Sequence, residues 1–302
     1  MRQSPIFSVG WQRCPVVVRA ILTGLALTAV GTLPWALLAT ANEKFFSSVP
    51  WAVPPTAVYL WLFWQYAGGK GWPQSTSQQR RTNRRALHLS DDVWGASLLA
   101  GTLGLATLVL LLRVVNRLVR LPQQQAPDIS QMPFVTMASL LLMASVVAGI
   151  VEEVSFRGYI QRPIERRHGP AVAILVTGLL FGFAHFPHPE VTLILMPYYL
   201  AVAAIYGALA YLTDSVLPGL VLHAVGNVLY FIQLLGQGRA EWQASSKSAA
   251  LIWDTGADAS FWISCVTVVI VGGAMIWAYA TLASIVRKPL RSLEETLRFG
   301  DV

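Results

Sequence analysis

Val151-Glu152-Glu153-Val154-Ser155-Phe156-Arg157 sets two adjacent carboxylates and a guanidinium at the end of a near-continuous apolar run from Phe134 to Ile150. A charge at bilayer depth costs about 2.5–3.5 kcal/mol on insertion scales, so ionisable residues in such company face a cavity and have partners. Downstream, Phe181-Gly182-Phe183-Ala184-His185 and His223-Ala224-Val225-Gly226-Asn227 each place a histidine inside an apolar stretch. Phe181 with His185, and His223 with Asn227, are spaced i, i+4 and share one helical face.

Successive residues of an α-helix point about 100° apart, so Glu152 and Glu153 face different directions. Glu153 reaches Arg157 at i, i+4 and reads as an ion pair that fixes the helix. Glu152 is left to face a cavity, where a carboxylate suits the work of a general base. His88 and His168 fall among basic residues, and His188, in Pro187-His188-Pro189, reads as an exposed turn residue. That leaves His185 and His223 as the intramembrane histidines. With Glu152 and Asn227 they lie on three different apolar segments, and convergence on one site explains them better than three separate polar accidents. An imidazole and an amide one turn apart can hold a developing oxyanion.

The elements that must carry these residues are membrane helices. Of 302 residues, 55% are apolar and only 12% charged, against about 25% charged in soluble domains, and the mean hydropathy is +0.54. The expected fold class is all-α, a polytopic membrane helical bundle of about eight transmembrane helices. The segments are Val16 to Ala41, Pro50 to Ala67, Val93 to Leu112, Phe134 to Glu152, Ala171 to Phe186, Val191 to Thr213, Val216 to Leu235 and Phe261 to Val286. No repeat of 20 to 50 residues is visible. The chain divides into a scaffold of helices and loops at 1–131, a core at 132–236 that holds the chemistry, and a polar loop, last helix and tail at 237–302. The stretch Gly68 to Asp92 reads as a flexible loop, with a lipid-contacting patch as its functional alternative.

The net charge of +7 does not indicate nucleic acid, because its distribution follows the membrane. Eight crossings put Arg2, Arg13, Arg19, Lys70, Arg80, Arg81, Arg84, Arg85, Arg157, Arg162, Arg166, Arg167, Arg287, Lys288, Arg291 and Arg298 on one side, 16 of the 22 basic residues. Lys44, Arg113, Arg117, Arg120, Arg239 and Lys247 fall on the other. The positive-inside rule then places both termini in the cytoplasm, of the plasma membrane in a bacterial setting, with membrane lipid as the partner of the basic residues. Ala39-Thr40-Ala41 resembles a signal-peptidase site, but the apolar core before it is longer than a signal peptide's, which favours an uncleaved first helix. Cys14 and Cys265 lie near opposite ends of the chain and read as packing residues.

Three motifs in order resemble the CAAX prenyl protease and bacteriocin-processing (Abi) family of intramembrane proteases, over roughly Met132 to Phe231. The first is Glu152, Glu153 and Arg157; the second is Phe181 and His185; the third is His223 and Asn227. The resemblance implies hydrolysis of a peptide bond in a membrane-associated protein or peptide. Glu152 and His185 would orient and deprotonate a water, and His223 with Asn227 would stabilise the tetrahedral oxyanion. The catalytic set is then Glu152, His185, His223 and Asn227, supported by Glu153, Arg157 and Phe181. No cofactor is expected; zinc on Glu152, His185 and His223 is the alternative, disfavoured by the absence of a His-Glu-x-x-His run and by asparagine being a poor zinc ligand.

A non-catalytic membrane scaffold of the same fold that binds a partner is the competing reading, and a transporter, which repeat symmetry would signal, the third. Depth is left open: Glu152 closes its span while His185 lies deep in another, unless the helix runs on to about Arg162 and carries Glu152 inward.

Overall fold

The computed structural model describes residues 13–121, 132–185, 193–237 and 250–299, with side chains to Arg287. The described residues are helical, with no strand beyond one isolated antiparallel bridge, Ala86 to Ser215. The helices are α1 (Val16–Phe45), α2 (Val53–Ala67), α3 (Ser77–Arg84), α4 (Asp91–Leu118), α5 (Phe134–Glu152), a π-helical segment (Glu153–Gln161), α6 (Arg162–His168), α7 (Pro170–Ala184), α8 (Met196–Thr213), α9 (Leu217–Gln237), α10 (Ile252–Thr255) and α11 (Ala259–Phe299).

Among the described residues, six helices are long and apolar enough to cross a membrane: Val16–Phe45, Asp91–Leu118, Phe134–His168, Leu193–Thr213, Leu217–Gly236 and Ala259–Arg287. The expected count of about eight is not reached on this measure. Pro50 to Ala67 and Ala171 to Phe186 become helices of 15 residues, about 22 Å long at 1.5 Å per residue, against a hydrocarbon core of about 30 Å. The surface suits lipid. Along α11, Trp262, Ile263, Val266, Val269, Ile270 and Trp277 are exposed, an apolar band larger than water-soluble chains tolerate.

The chain divides into two compact units. The first holds residues up to Arg85, residues 127–180 and His223–Val228. Its α1–α2 turn is held by buried Asn42, whose amide donates to the carbonyls of Phe46 (2.8 Å) and Val49 (3.0 Å) while its oxygen accepts from the Ala52 amide (2.9 Å). The turn sends α2 back along α1, where the Tyr59 hydroxyl donates to the Val30 carbonyl.

Phe134–His168 is one continuous helix, so the expected end of this span at Glu152 is not adopted. The charges that suggested a membrane boundary at Glu152 are neutralised by partners inside the protein, and the helix has no need to stop there. It ends at Gly169, whose φ of 85° is a left-handed value glycine adopts without strain. The helix runs opposite to α1, with Val151 packed on Gly31 and Ile160 on Gly24; a Cβ at either glycine would overlap those side chains. Gly31 is near the middle of α1, so the glutamates lie level with the middle of that helix. The helix running on past Arg162 is thus the alternative that the structure adopts.

The 68–92 stretch is ordered, contrary to the flexible loop expected. Arg80, only 4% exposed, donates to the carbonyls of Tyr66 (2.8 Å), Lys70 (2.8 Å), Gly71 (2.9 Å) and Pro73 (3.1 Å). Arg84 lies over the Trp64 ring, 4.7 Å from its centroid, and Arg85 makes a buried two-pronged pair with Glu165 at 2.9 and 3.0 Å. Arginines that read as solvated or lipid-facing instead tie this segment to its neighbours; of the four, only Arg81 is exposed.

The second unit holds 86–126, 181–222 and 229–302. Here α4 packs against α8 and α11 around Ala100, Tyr206, Leu209, Leu222, Ala278 and Leu282, and the Tyr279 hydroxyl donates to the Ile205 carbonyl at 3.0 Å. Both cysteines are free. The expectations for His188 and for most of the polar stretches after Leu121 and Gln237 lie outside the described residues.

Candidate active site

The first unit brings Glu152, Glu153, Arg157 and His223 together. Glu152 ends α5 and Glu153 opens the π-helical segment, all nine of whose residues are buried. The i→i+5 bonding of a π-helix widens the turn and resets the direction of every side chain that follows, which is why such segments recur at functional sites. A helix buried on every face needs its polar groups matched internally.

Arg157 Nη1 lies 3.3 Å from Glu153 Oε1, with both side chains fully buried. The same Oε1 is 2.9 Å from His223 Nδ1. A carboxylate only accepts, so Nδ1 carries the proton, and in the neutral ring Nε2 is then an acceptor. Nε2 lies 3.7 Å from Glu152 Oε2, beyond hydrogen-bond reach. An imidazolium would donate from both nitrogens, to Glu153 on one side and toward Glu152 on the other.

The two glutamates therefore differ in more than direction. Glu153 is fully buried and shared by a guanidinium and an imidazole, whereas the Glu152 side chain is 21% exposed with the imidazole edge at its rim. Sequence reasoning paired Glu153 with Arg157 but missed its bond to His223. Asn227 lies one turn after His223 on α9 and is half-buried.

His185 and Phe181 are in the second unit and are described there by themselves. His185 Nδ1 is 2.7 Å from the Phe181 carbonyl oxygen. A carbonyl cannot donate, so Nδ1–H is the donor and Nε2 of the neutral ring is left to accept a proton. The imidazole stacks on Tyr199, with centroids 4.5 Å apart, and leans on the Phe181 ring at 4.8 Å. Phe181 thus orients the histidine through both its carbonyl and its ring. Sequence reasoning also missed Tyr199, because an aromatic inside an apolar segment carries no signal beyond packing.

Among the described residues, no three His, Cys, Asp or Glu side chains are grouped so as to hold a metal ion. Glu153 Oε1 is already committed to Arg157 and His223.

Residues 134–229 match the family model of the type II CAAX prenyl endopeptidase Rce1-like proteins. Over that segment, about a third of the chain, the protein is similar to the CAAX protease family. The match spans the π-helical segment and all three motifs, and it supports intramembrane proteolysis as the class of activity. With six apolar helices among the described residues, the match supports an integral membrane protein of a class that acts on protein or peptide substrates. No curated protein and no solved structure matches the chain.

Proposed function

We propose that the protein hydrolyses a peptide bond of a membrane-associated protein or peptide, using a water activated by Glu152. The observation that carries this reading is the inequality of the two glutamates around His223. Glu153 is fully buried, and its Oε1 is shared by Arg157 Nη1 and His223 Nδ1. Glu152 is partly open, with its Oε2 3.7 Å from His223 Nε2, next to a ring whose orientation Glu153 fixes.

In this mechanism Glu152 takes a proton from water as the hydroxyl attacks the scissile carbonyl, a contribution of roughly 10²–10⁴ in rate for a positioned base. The family resemblance implies that His185 helps to orient the water. Asn227 and His223 hold the oxyanion, where one donor is typically worth about 10²–10³. For His223 to donate from Nε2 it must be the imidazolium, because Nδ1–H is already given to Glu153. Glu153 is then a positioning residue that lets the ring carry its charge.

Glu152→Gln should abolish cleavage of a membrane-peptide library by the purified protein while leaving its thermal unfolding unchanged; full activity in that variant ends the assignment. A wild-type protein that cleaves nothing across prenylated and unprenylated peptides would favour the partner-binding scaffold instead. Zinc on Glu152, His185 and His223 is the competing mechanism, and it predicts stoichiometric zinc in pure protein. We expect activity to survive chelation; activity lost on chelation and regained with zinc would make Glu152 a ligand or the base to a metal-bound water.

A further inference from the structure

One face of α1, formed by Val16, Arg19, Ala20, Thr23, Leu27 and Val30 at i, i+3, i+4, i+7, i+11 and i+14, lines a cavity of about 680 Å³ within the first unit. That volume falls in the roughly 300–1,000 Å³ range of small-ligand sites. The opposite wall comes from the end of α2, from α3 and from the end of the π-helical segment, with Tyr66, Arg80 and Tyr159. None of the proposed catalytic residues lines it. Its polarity is graded: Arg19, Thr23, Gln79 and Arg80 gather near the start of α1, while the stretch from Ala26 to Val30 is apolar.

Charge decides what such a cavity fits. Two arginines line it and no acidic residue does. The Nε of Arg19 and the Nε of Arg80 are both shielded from solvent, and neither has a hydrogen-bond partner among the described residues. Two guanidinium Nε–H groups therefore lack an acceptor in a cavity whose lining at Ala26, Leu27 and Val30 is hydrocarbon. From Val16 to Val30 the helix rises about 21 Å at 1.5 Å per residue. Half of a bilayer of about 40–45 Å, headgroups included, has the same depth.

We infer that this cavity is a binding site for one anionic phospholipid, with its phosphate at Arg19 and Arg80 and one acyl chain along Ala20, Leu27 and Val30. The site is separate from the hydrolytic reading above and stands whether or not the chain cleaves peptides. A lipid held there bridges α1, α2 and the helix that carries Glu153, so it would stabilise the element on which the glutamates sit.

The test is native mass spectrometry of the full chain released from detergent, titrated with phosphatidylglycerol and phosphatidylcholine of equal chain length. Phosphatidylglycerol should bind the more tightly. Arg19→Gln should cost roughly five- to tenfold of that preference, the effect of one basic group at an anionic headgroup. Arg81→Gln, at an exposed arginine outside the lining, should cost nothing. Binding by wild-type protein should weaken as the acyl chains are shortened, which tests the apolar half without any substitution. Equal binding of the two lipids, an equal loss in both variants, or complete competition by inorganic phosphate would each overturn the proposal.

Discussion

Glu153 carries more of the local electrostatics than its neighbour, yet the chemistry is proposed for Glu152. Replacing Glu153 by glutamine leaves Arg157 buried without its carboxylate and gives His223 Nδ1–H a neutral acceptor in place of a charged one, and removing one partner of a buried ion pair costs about 3–5 kcal/mol. Glu153→Gln should therefore lower the melting temperature clearly and reduce activity, whereas Glu152→Gln should reduce activity alone. Thermal unfolding of both variants beside peptide cleavage separates the two roles; equal destabilisation would mean that the glutamates are equivalent. The residue types at this site were legible because carboxylates, histidines and an asparagine are rare in apolar segments. The pairing of Glu153 with His223 was not, since it joins residues 70 positions apart, across a separation that helical spacing does not describe. Tyr199 was illegible for a different reason: stacking on His185 needs only a ring, which any packed helix supplies.

Among the elements, the π-helical segment is where the sequence misleads most. The apolar run and the charges after it argued for a span ending at Glu152, whereas the i, i+4 spacing of Glu153 and Arg157 already pointed to a helix that continues; the bond to His223 was visible only once that partner was in place. Its depth depends on close approach to α1 at two glycines. Gly31→Val should force Val151 and its neighbours apart, an overpacking cost of about 1–3 kcal/mol, and should lower activity by shifting Glu152; Gly95→Val, on α4 with no heavy atom within 4 Å of a built Cβ, is the control. Unfolding of both variants decides this. At the start of α11, Asp258 caps the helix by accepting from the Phe261 amide at 2.8 Å and pairs with Arg117 at 3.1 Å. The amide first, then the guanidinium, hold its carboxyl below the ordinary value. A carboxyl lowered in the folded state stabilises the fold above its unfolded pKa of about 3.9 and loses that contribution as pH falls through the folded value. Asp258→Asn should thus lower stability at neutral pH and narrow the gap to wild type under acid, seen as converging melting temperatures below about pH 4.

At the scale of the molecule, charge and helix length disagree about how often the chain crosses the membrane. With Arg157 withdrawn into its helix, eight crossings divide the other Lys and Arg residues fifteen to six. Six crossings, omitting α2 and α7, move Lys70, Arg80, Arg81, Arg84, Arg85, Arg162, Arg166 and Arg167 to the far side, bring Arg113, Arg117 and Arg120 to the near side and leave ten against eleven, no bias at all. Topology follows the positive residues of short loops, so the charge pattern favours eight. The first unit supports the same answer, because α2 turns back along α1 and Arg80 shares a cavity wall with Arg19 at the start of α1. A helix of 15 residues crosses where flanking residues reach for the interface or the bilayer thins. We expect residues 68–90 and both termini to lie on one side, the cytoplasmic one. Single cysteines at Ser75 and in the C-terminal tail, placed in a chain lacking Cys14 and Cys265, should then react alike with a membrane-impermeant maleimide. Labelling of Ser75→Cys from the opposite side would reduce the crossings to six, and the charge asymmetry would lose its meaning as a topology signal.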